Sequence, residues 1–174
     1  MLKKPIVAAI LCVIIVLAST VISVHSRLDG RCAEVSDEFS APGGIKEQLS
    51  ALCTAGSGII KLAEANGLDT AAAAGECDEL RFELDVNSPS ALAWMMRLLN
   101  RDVDDLRLSL RQMQLSENDA KLFAEYETAY LAAQTAISEN TYNQSVNSFL
   151  RSELGSFSSR FARLCGVRLP EQFA

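Results

Sequence analysis

Three observations predict an all-α protein, with an N-terminal transmembrane helix followed by an antiparallel helical bundle of about four helices. Pro5 to Val24 is an apolar run without a charge, the apolar residues after Arg27 recur at steps of three and four, and no stretch alternates with the period of a strand. The reading divides the 174 residues into an anchor with a short tail, 1–26, and a helical domain, 27–174.

The apolar run comes first. At about 1.5 Å per residue it reaches roughly 30 Å, the thickness of a hydrocarbon core. Met1-Leu2-Lys3-Lys4 ahead of such a run also opens a secretory signal peptide, and cleavage after Ser26 is the competing reading. Against it, the run exceeds the roughly 7–15 residues of a signal core and lacks an A-x-A-type site. Cys12 follows Leu11 inside the run, which argues against a lipoprotein anchor. Lys3 and Lys4 precede the segment and Arg27 and Arg31 follow it, so the charge bias is nearly balanced. The α-amino group tips it toward a cytoplasmic N-terminus, a single-pass protein of the cell membrane and an extracytoplasmic domain.

In the domain, Leu28, Cys32, Val35 and Phe39 share one helix face up to the Pro42-Gly43-Gly44 break, so the anchor and first helix can form one rod. A second stripe, Ile45, Leu49, Leu52, Gly56, Ile59 and Ala63, stops at Asn66-Gly67, and Gly56 and Gly58 leave room for a close neighbour. After the capping candidates Asp69 and Thr70, Ala73, Cys77, Leu80 and Leu84 form a shorter stripe. Ser88-Pro89 then opens the strongest seam, Leu92, Met96, Leu99, Val103, Leu106, Leu110 and Met113. Arg107, rotated by about 100° from Leu106, is expected to face water. Ser116 and Asp119 signal the next start, with Phe123, Tyr126, Tyr130, Ala133 and Ile137 on one face. Tyr142, Val146 and Phe149 resume that face after a five-residue step, which predicts a shift of the buried side. Phe157, Phe161, Leu164 and Cys165 predict a last short helix ended by Gly166.

Chemistry-bearing groups are sparse. His25 is the single histidine, at the membrane exit, so one chain cannot assemble a Ser-His, Cys-His or two-His metal site, and no catalytic, cofactor or metal residue is assigned. Glu76, Asp78, Glu79, Glu83 and Asp85, and Asp102, Asp104 and Asp105, form two acidic clusters; the expectation is a solvated face rather than a converging site. Of 16 basic residues two, Lys3 and Lys4, precede the run, and all 22 acidic residues follow it, so residues 27–174 carry a net charge of −8. Such a surface disfavours nucleic acid as partner. Cys32, Cys53, Cys77 and Cys165 lie in the domain. Cys32 and Cys53 are about equally far from Pro42-Gly43-Gly44, at one level of two antiparallel helices, and could pair as a disulfide; the alternative is two small buried hydrophobes.

The C-terminal third carries a recognisable pattern: Ser116-Glu117-Asn118, Thr141 through Phe149 with Tyr142, Asn143, Val146 and Phe149 at their spacing, Ala162-Arg163-Leu164-Cys165-Gly166-Val167, and a terminal Glu171-Gln172-Phe173. Residues 116–174 resemble the closing signature of the LemA family, and an N-terminal transmembrane segment feeding a helical bundle is similar to that family too. The second helix departs from the pattern: Gly44 through Ile60 lacks the family's basic pair and its proline. What the resemblance implies is a membrane-anchored bacterial helical protein of poorly defined molecular role. The sparse chemical groups and long apolar seams lead to the expectation of a non-enzymatic bundle without cofactor, whose partners are the lipid bilayer and other envelope proteins that it scaffolds or regulates. The alternative is a ligand-binding or sensory bundle with an apolar core cavity near Trp94, Met95, Met96 and Tyr126.

Overall fold

A computed structural model describes residues 3–86, 88–154 and 166–174, and among these every regular element is a helix. The order is α1 (Lys3–Ser40), α2 (Ile45–Ala65), α3 (Ala71–Glu83), α4 (Pro89–Gln112), α5 (Glu117–Glu139) and α6 (Tyr142–Leu154). The helix expected over Phe157 to Cys165 lies outside the described residues.

The predicted punctuation operates where backbone chemistry demands it. The rod α1 runs unbroken through the apolar run and stops at Ser40, after which Gly43 takes φ +76°. Gly44 lies so close to the Glu38, Phe39 and Ala41 carbonyls, 2.6–2.8 Å from where a Cβ would sit, that a side chain there would force the turn apart. Helix α2 ends with Gly67 at φ +81°; the Gly67 N–H donates to Glu64 O and the Leu68 N–H to Ala63 O, a Schellman ending. Ser116 Oγ accepts from the Asp119 N–H at 3.1 Å while bonding the Asp119 carboxylate at 2.8 Å, so the start signal of α5 closes on itself. Ser88 and Thr70 also stand at N-cap positions, without a side-chain cap bond; Asp69 accepts from the Ala71 N–H instead.

Two compact units divide the chain, and they do not meet at residue 26: one comprises residues 1–36 and 146–170, the other 37–145 and 171–174. The start of the predicted domain thus stays with the anchor rod, because its apolar face is used locally. Leu28 and Cys32 are buried with Phe149 and Val167, flanked by Val24, Val35, Leu150 and Leu169, and Arg31 pairs with Glu153 at 2.7 Å.

In the other unit α2 packs against α5, α3 and α4, and α3 against α4. The apolar stripes supply its core: Ile45, Leu49, Leu52, Gly56, Ile59 and Ala63 of α2, Leu92, Leu99, Val103, Leu106 and Leu110 of α4, and Phe123, Tyr130, Ala133 and Ile137 of α5 are all buried. Both glycines of α2 receive a ring from α5. A Cβ at Gly56 would sit 3.3 Å from the Tyr130 ring, and one at Gly58 only 2.7 Å from the Tyr126 ring.

Two expectations are corrected here. The single helix with a rotated face is two helices, because Asn140 is extended (ψ 135°) and its side chain takes over as a junction. Its Oδ1 accepts from the Tyr142 N–H, and its Nδ2 donates to Gly43 O and Gln48 Oε1. Arg107 is buried, not solvated. Its Nε donates to Glu127 Oε1 at 3.0 Å, its Nη1 binds Asp104, and the guanidinium lies 5.9 Å from the centre of the Tyr130 ring.

Candidate functional site

Two places in the 37–145 and 171–174 unit gather polar side chains into defined geometry. The first is built on the residues of the C-terminal pattern. Tyr142, 2% exposed, donates its hydroxyl to the Glu171 carbonyl at 2.8 Å and meets the Phe39 ring edge-on at 5.3 Å. Burial, then the charges of Glu171 and Glu38, push its phenol up to about 12. Asn143 holds Phe173 at both backbone groups: Nδ2 donates to Phe173 O at 2.6 Å, and Oδ1 accepts from the Phe173 N–H at 2.8 Å. Phe173 is itself buried, 6.0 Å from Phe39. The Tyr-Asn pair and the terminal aromatic are therefore one device that fastens the chain's end. Val146 and Phe149 are buried, and Gly166 takes φ +77°.

Beside this clamp a cleft of about 450 Å³ is lined by Met96, Ile137 and Phe173 and by the polar side chains of Asn100, Gln134, Ser138, Asn140, Asn143 and Gln144. The four residues expected around one apolar cavity do not share it. Met96 lines this polar cleft, Tyr126 fills the space over Gly58, and Trp94 is 56% exposed.

The second place joins α2 to α3. Cys53 and Cys77 are both fully buried; the Cys77 thiol donates to the Cys53 carbonyl at 3.4 Å, and its sulfur lies 3.2 Å from Ser57 Oγ. Arg81, one turn beyond Cys77, donates to Ser57 Oγ at 3.1 Å and to Cys53 O at 3.4 Å. Hydrogen bonding from Cys53, then from Ser57, pulls the Cys77 thiol down against its burial, with the Arg81 cation acting in the same direction. Cys53 moves up, through its bond to Cys77 and its burial.

The expected Cys32–Cys53 bridge is absent: both are free thiols. Equal distance from a turn sets the level of two residues along their helices but not the faces they occupy. Cys32 turns to Phe149 and Val167, and Cys53 turns to Cys77. Burial raises the Cys32 thiol, aided by Asp29 and Glu153. Cys165 lies outside the described residues.

Of the acidic clusters, Asp78, Glu79, Asp85 and Asp105 are exposed, while one carboxylate of each cluster shares a cation. Arg101 lies 2.7 Å from Asp102 of α4 and 3.7 Å from Glu76 of α3. Burial first, then the Asp102 charge, raises the Glu76 carboxyl.

Sequence reasoning marked Tyr142 and Asn143 but not what they hold, and it missed Ser57, Arg81 and the Cys53–Cys77 contact. A usable signal existed: Cys53 and Ser57, and Cys77 and Arg81, are both i, i+4 pairs, each on one helix face. Compared with family models, with curated proteins and with solved structures, the chain matches none.

Proposed function

We propose that this chain is a single-pass membrane protein whose extracytoplasmic, antiparallel helical bundle scaffolds or regulates other envelope proteins without catalysing a reaction. The observation that carries the reading is the surface of α1. Leu11, Val13, Ile14, Ile15, Val16, Leu17 and Ile22 are each more than half exposed on an unbroken helix, and this is the one candidate membrane span among the described residues. A contiguous apolar cylinder of this kind is unstable in water and stable in hydrocarbon, and its flanking Lys3 and Lys4 favour an N-terminus on the cytoplasmic side. The LemA-like pattern supports the same reading, because the residues that carry it do structural work at the chain's end. The clamp draws Glu171–Phe173 onto Tyr142 and Asn143 of α6 and Phe39 of α1.

Membrane fractionation tests the anchor: the full chain should stay with membranes through high salt and carbonate and leave only with detergent. Recovery of full-length protein in the soluble fraction would refute it. Crosslinking in native membranes followed by purification tests the scaffold: a reproducible envelope protein should be captured by the wild type and lost when residues 171–174 are removed. Capture of none would refute that part while leaving the anchor standing.

A further inference from the structure

We propose that Cys53 and Cys77 are a redox dithiol, in which Cys77 meets a small peroxide and Cys53 resolves the product as a disulfide between α2 and α3. The proposal is independent of the membrane reading, since every group it uses lies within residues 53–81.

The geometry separates this pair from two thiols that merely fill space. Both thiols are buried, and Cys77 Sγ rests 3.4 Å from the backbone carbonyl of Cys53 itself, with Ser57 Oγ 3.2 Å away. Rotation about the two Cα–Cβ bonds is the motion needed to bring such sulfurs toward the bonded distance of about 2.05 Å. Around them the polar groups are arranged to accept a change of charge. With Cys77 as a thiol, Ser57 donates to Cys53 O at 2.8 Å and accepts from Arg81. With Cys77 as a thiolate, the Ser57 hydroxyl can turn to the sulfur 3.2 Å away while Arg81 continues to donate to Cys53 O, so no acceptor is stranded. Asp78 opposes the ionisation, and the Arg81 cation favours it. Only the thiolate is nucleophilic, so this asymmetry sets the order of events.

Both thiols are buried, and the proposed route for the oxidant runs past Arg81. Arg81 forms part of the wall of an open cleft of about 540 Å³ that also includes Ser50, one turn before Cys53. Its side chain is half exposed and hydrogen-bonds Ser57 Oγ, so admission of an oxidant of two heavy atoms requires the guanidinium to move aside.

In the first step the Cys77 thiolate attacks one oxygen of hydrogen peroxide. An S–O bond forms, the O–O bond breaks, and the departing hydroxide takes up a proton as water, leaving a sulfenic acid. The Cys53 sulfur then attacks that sulfur: the S–S bond forms, the S–O bond breaks, and the second water leaves with the Cys53 proton. The peroxide gains two electrons and the dithiol loses two.

The test uses the reduced full-length chain in detergent micelles, treated with hydrogen peroxide, then denatured, alkylated and mapped by peptide mass spectrometry. The expected result is a peptide pair joined through Cys53 and Cys77, released by reductant. C77S should abolish the joined pair and leave Cys53 open to alkylation, and C53S should let sulfenic acid accumulate at Cys77, where dimedone captures it. Alkylation of both residues in oxidised wild type would overturn the proposal, as would disulfides joining either of them to Cys32 or Cys165. Dimedone capture at Cys53 in C77S, with none at Cys77 in C53S, would overturn the assigned order. The wild-type map stands whether or not either variant folds.

Discussion

Arg107→Ala measures how far tertiary packing has overridden the helix phase of α4. The guanidinium loses a 3.0 Å bond to Glu127, a bond to Asp104 and its position 5.9 Å from the Tyr130 ring. Each partner weighs differently. Asp104 is about half exposed and recovers water, so its bond contributes less than about 1 kcal/mol. Glu127 is only 17% exposed but keeps Arg111 at 2.8 Å, which prevents the full penalty of a stranded buried carboxylate. Charge-assisted bonds of this kind contribute about 1.5–3 kcal/mol, and the lost aliphatic stem adds to it, so we expect a destabilisation of about 2–3 kcal/mol. Leu106→Ala, next in the chain and 7% exposed, should cost about 2–5 kcal/mol through lost burial and a residual cavity. Urea unfolding of the micelle-bound protein, followed by helical circular dichroism, gives both midpoints, with an unchanged slope required for comparison. Arg107→Met with Glu127→Gln completes a double-mutant cycle that isolates the pair. An Arg107→Ala midpoint equivalent to less than about 0.5 kcal/mol would mark it as a surface residue and refute the buried network.

Other positions separate contact from propensity in the same assay. Gly58→Ala should destabilise by about 1–2 kcal/mol net, because the new Cβ falls 2.7 Å from the Tyr126 ring and strain exceeds the gain in helix propensity. Gly75→Ala, in α3 with nothing within 4 Å, should instead stabilise by about 0.5–1 kcal/mol; equal responses at the two glycines would dismiss the close approach of α5. Asn143→Asp keeps the acceptor for the Phe173 N–H but loses the donor to Phe173 O, so hydrogen exchange at the Phe173 amide should quicken; unchanged protection would contradict the two-point clamp. Glu76 titrates above its ordinary value of 4.5 in the fold, so the stability it contributes is present at low pH and lost as pH rises through that raised pKa. Glu76→Gln retains the neutral form, and wild type should therefore weaken relative to it on going from acid to neutral pH. A pH-independent difference would argue against the burial of Glu76 beside the Asp102 charge.

Periodicity and punctuation in this chain are local quantities, and the sequence carried them almost entirely. A glycine at positive φ, a Ser-x-x-Asp start and a stripe at steps of three and four act within one or two helical turns, which is why Gly67, Ser116, the α2 seam and the α4 seam from Leu99 to Leu110 appear where the residues place them. Met113, the last of that α4 stripe, lies past the helix end and is exposed. The apolar run likewise states its length and polarity without reference to any neighbour. Facing relations are different, because they depend on the rotational phase and spacing of elements far apart in the chain. Whether Cys53 meets Cys32 or Cys77, whether Arg107 sees water or Glu127, and whether Glu76 and Asp102 share Arg101 cannot be read from one helix. Asn143 shows the boundary most plainly. Its place in a pattern is visible along the chain, but the backbone it grips lies 30 residues away and comes within reach once Phe173 has packed near Phe39. The same holds for the dithiol, whose two i, i+4 pairs acquire chemistry when α2 and α3 bring their faces together.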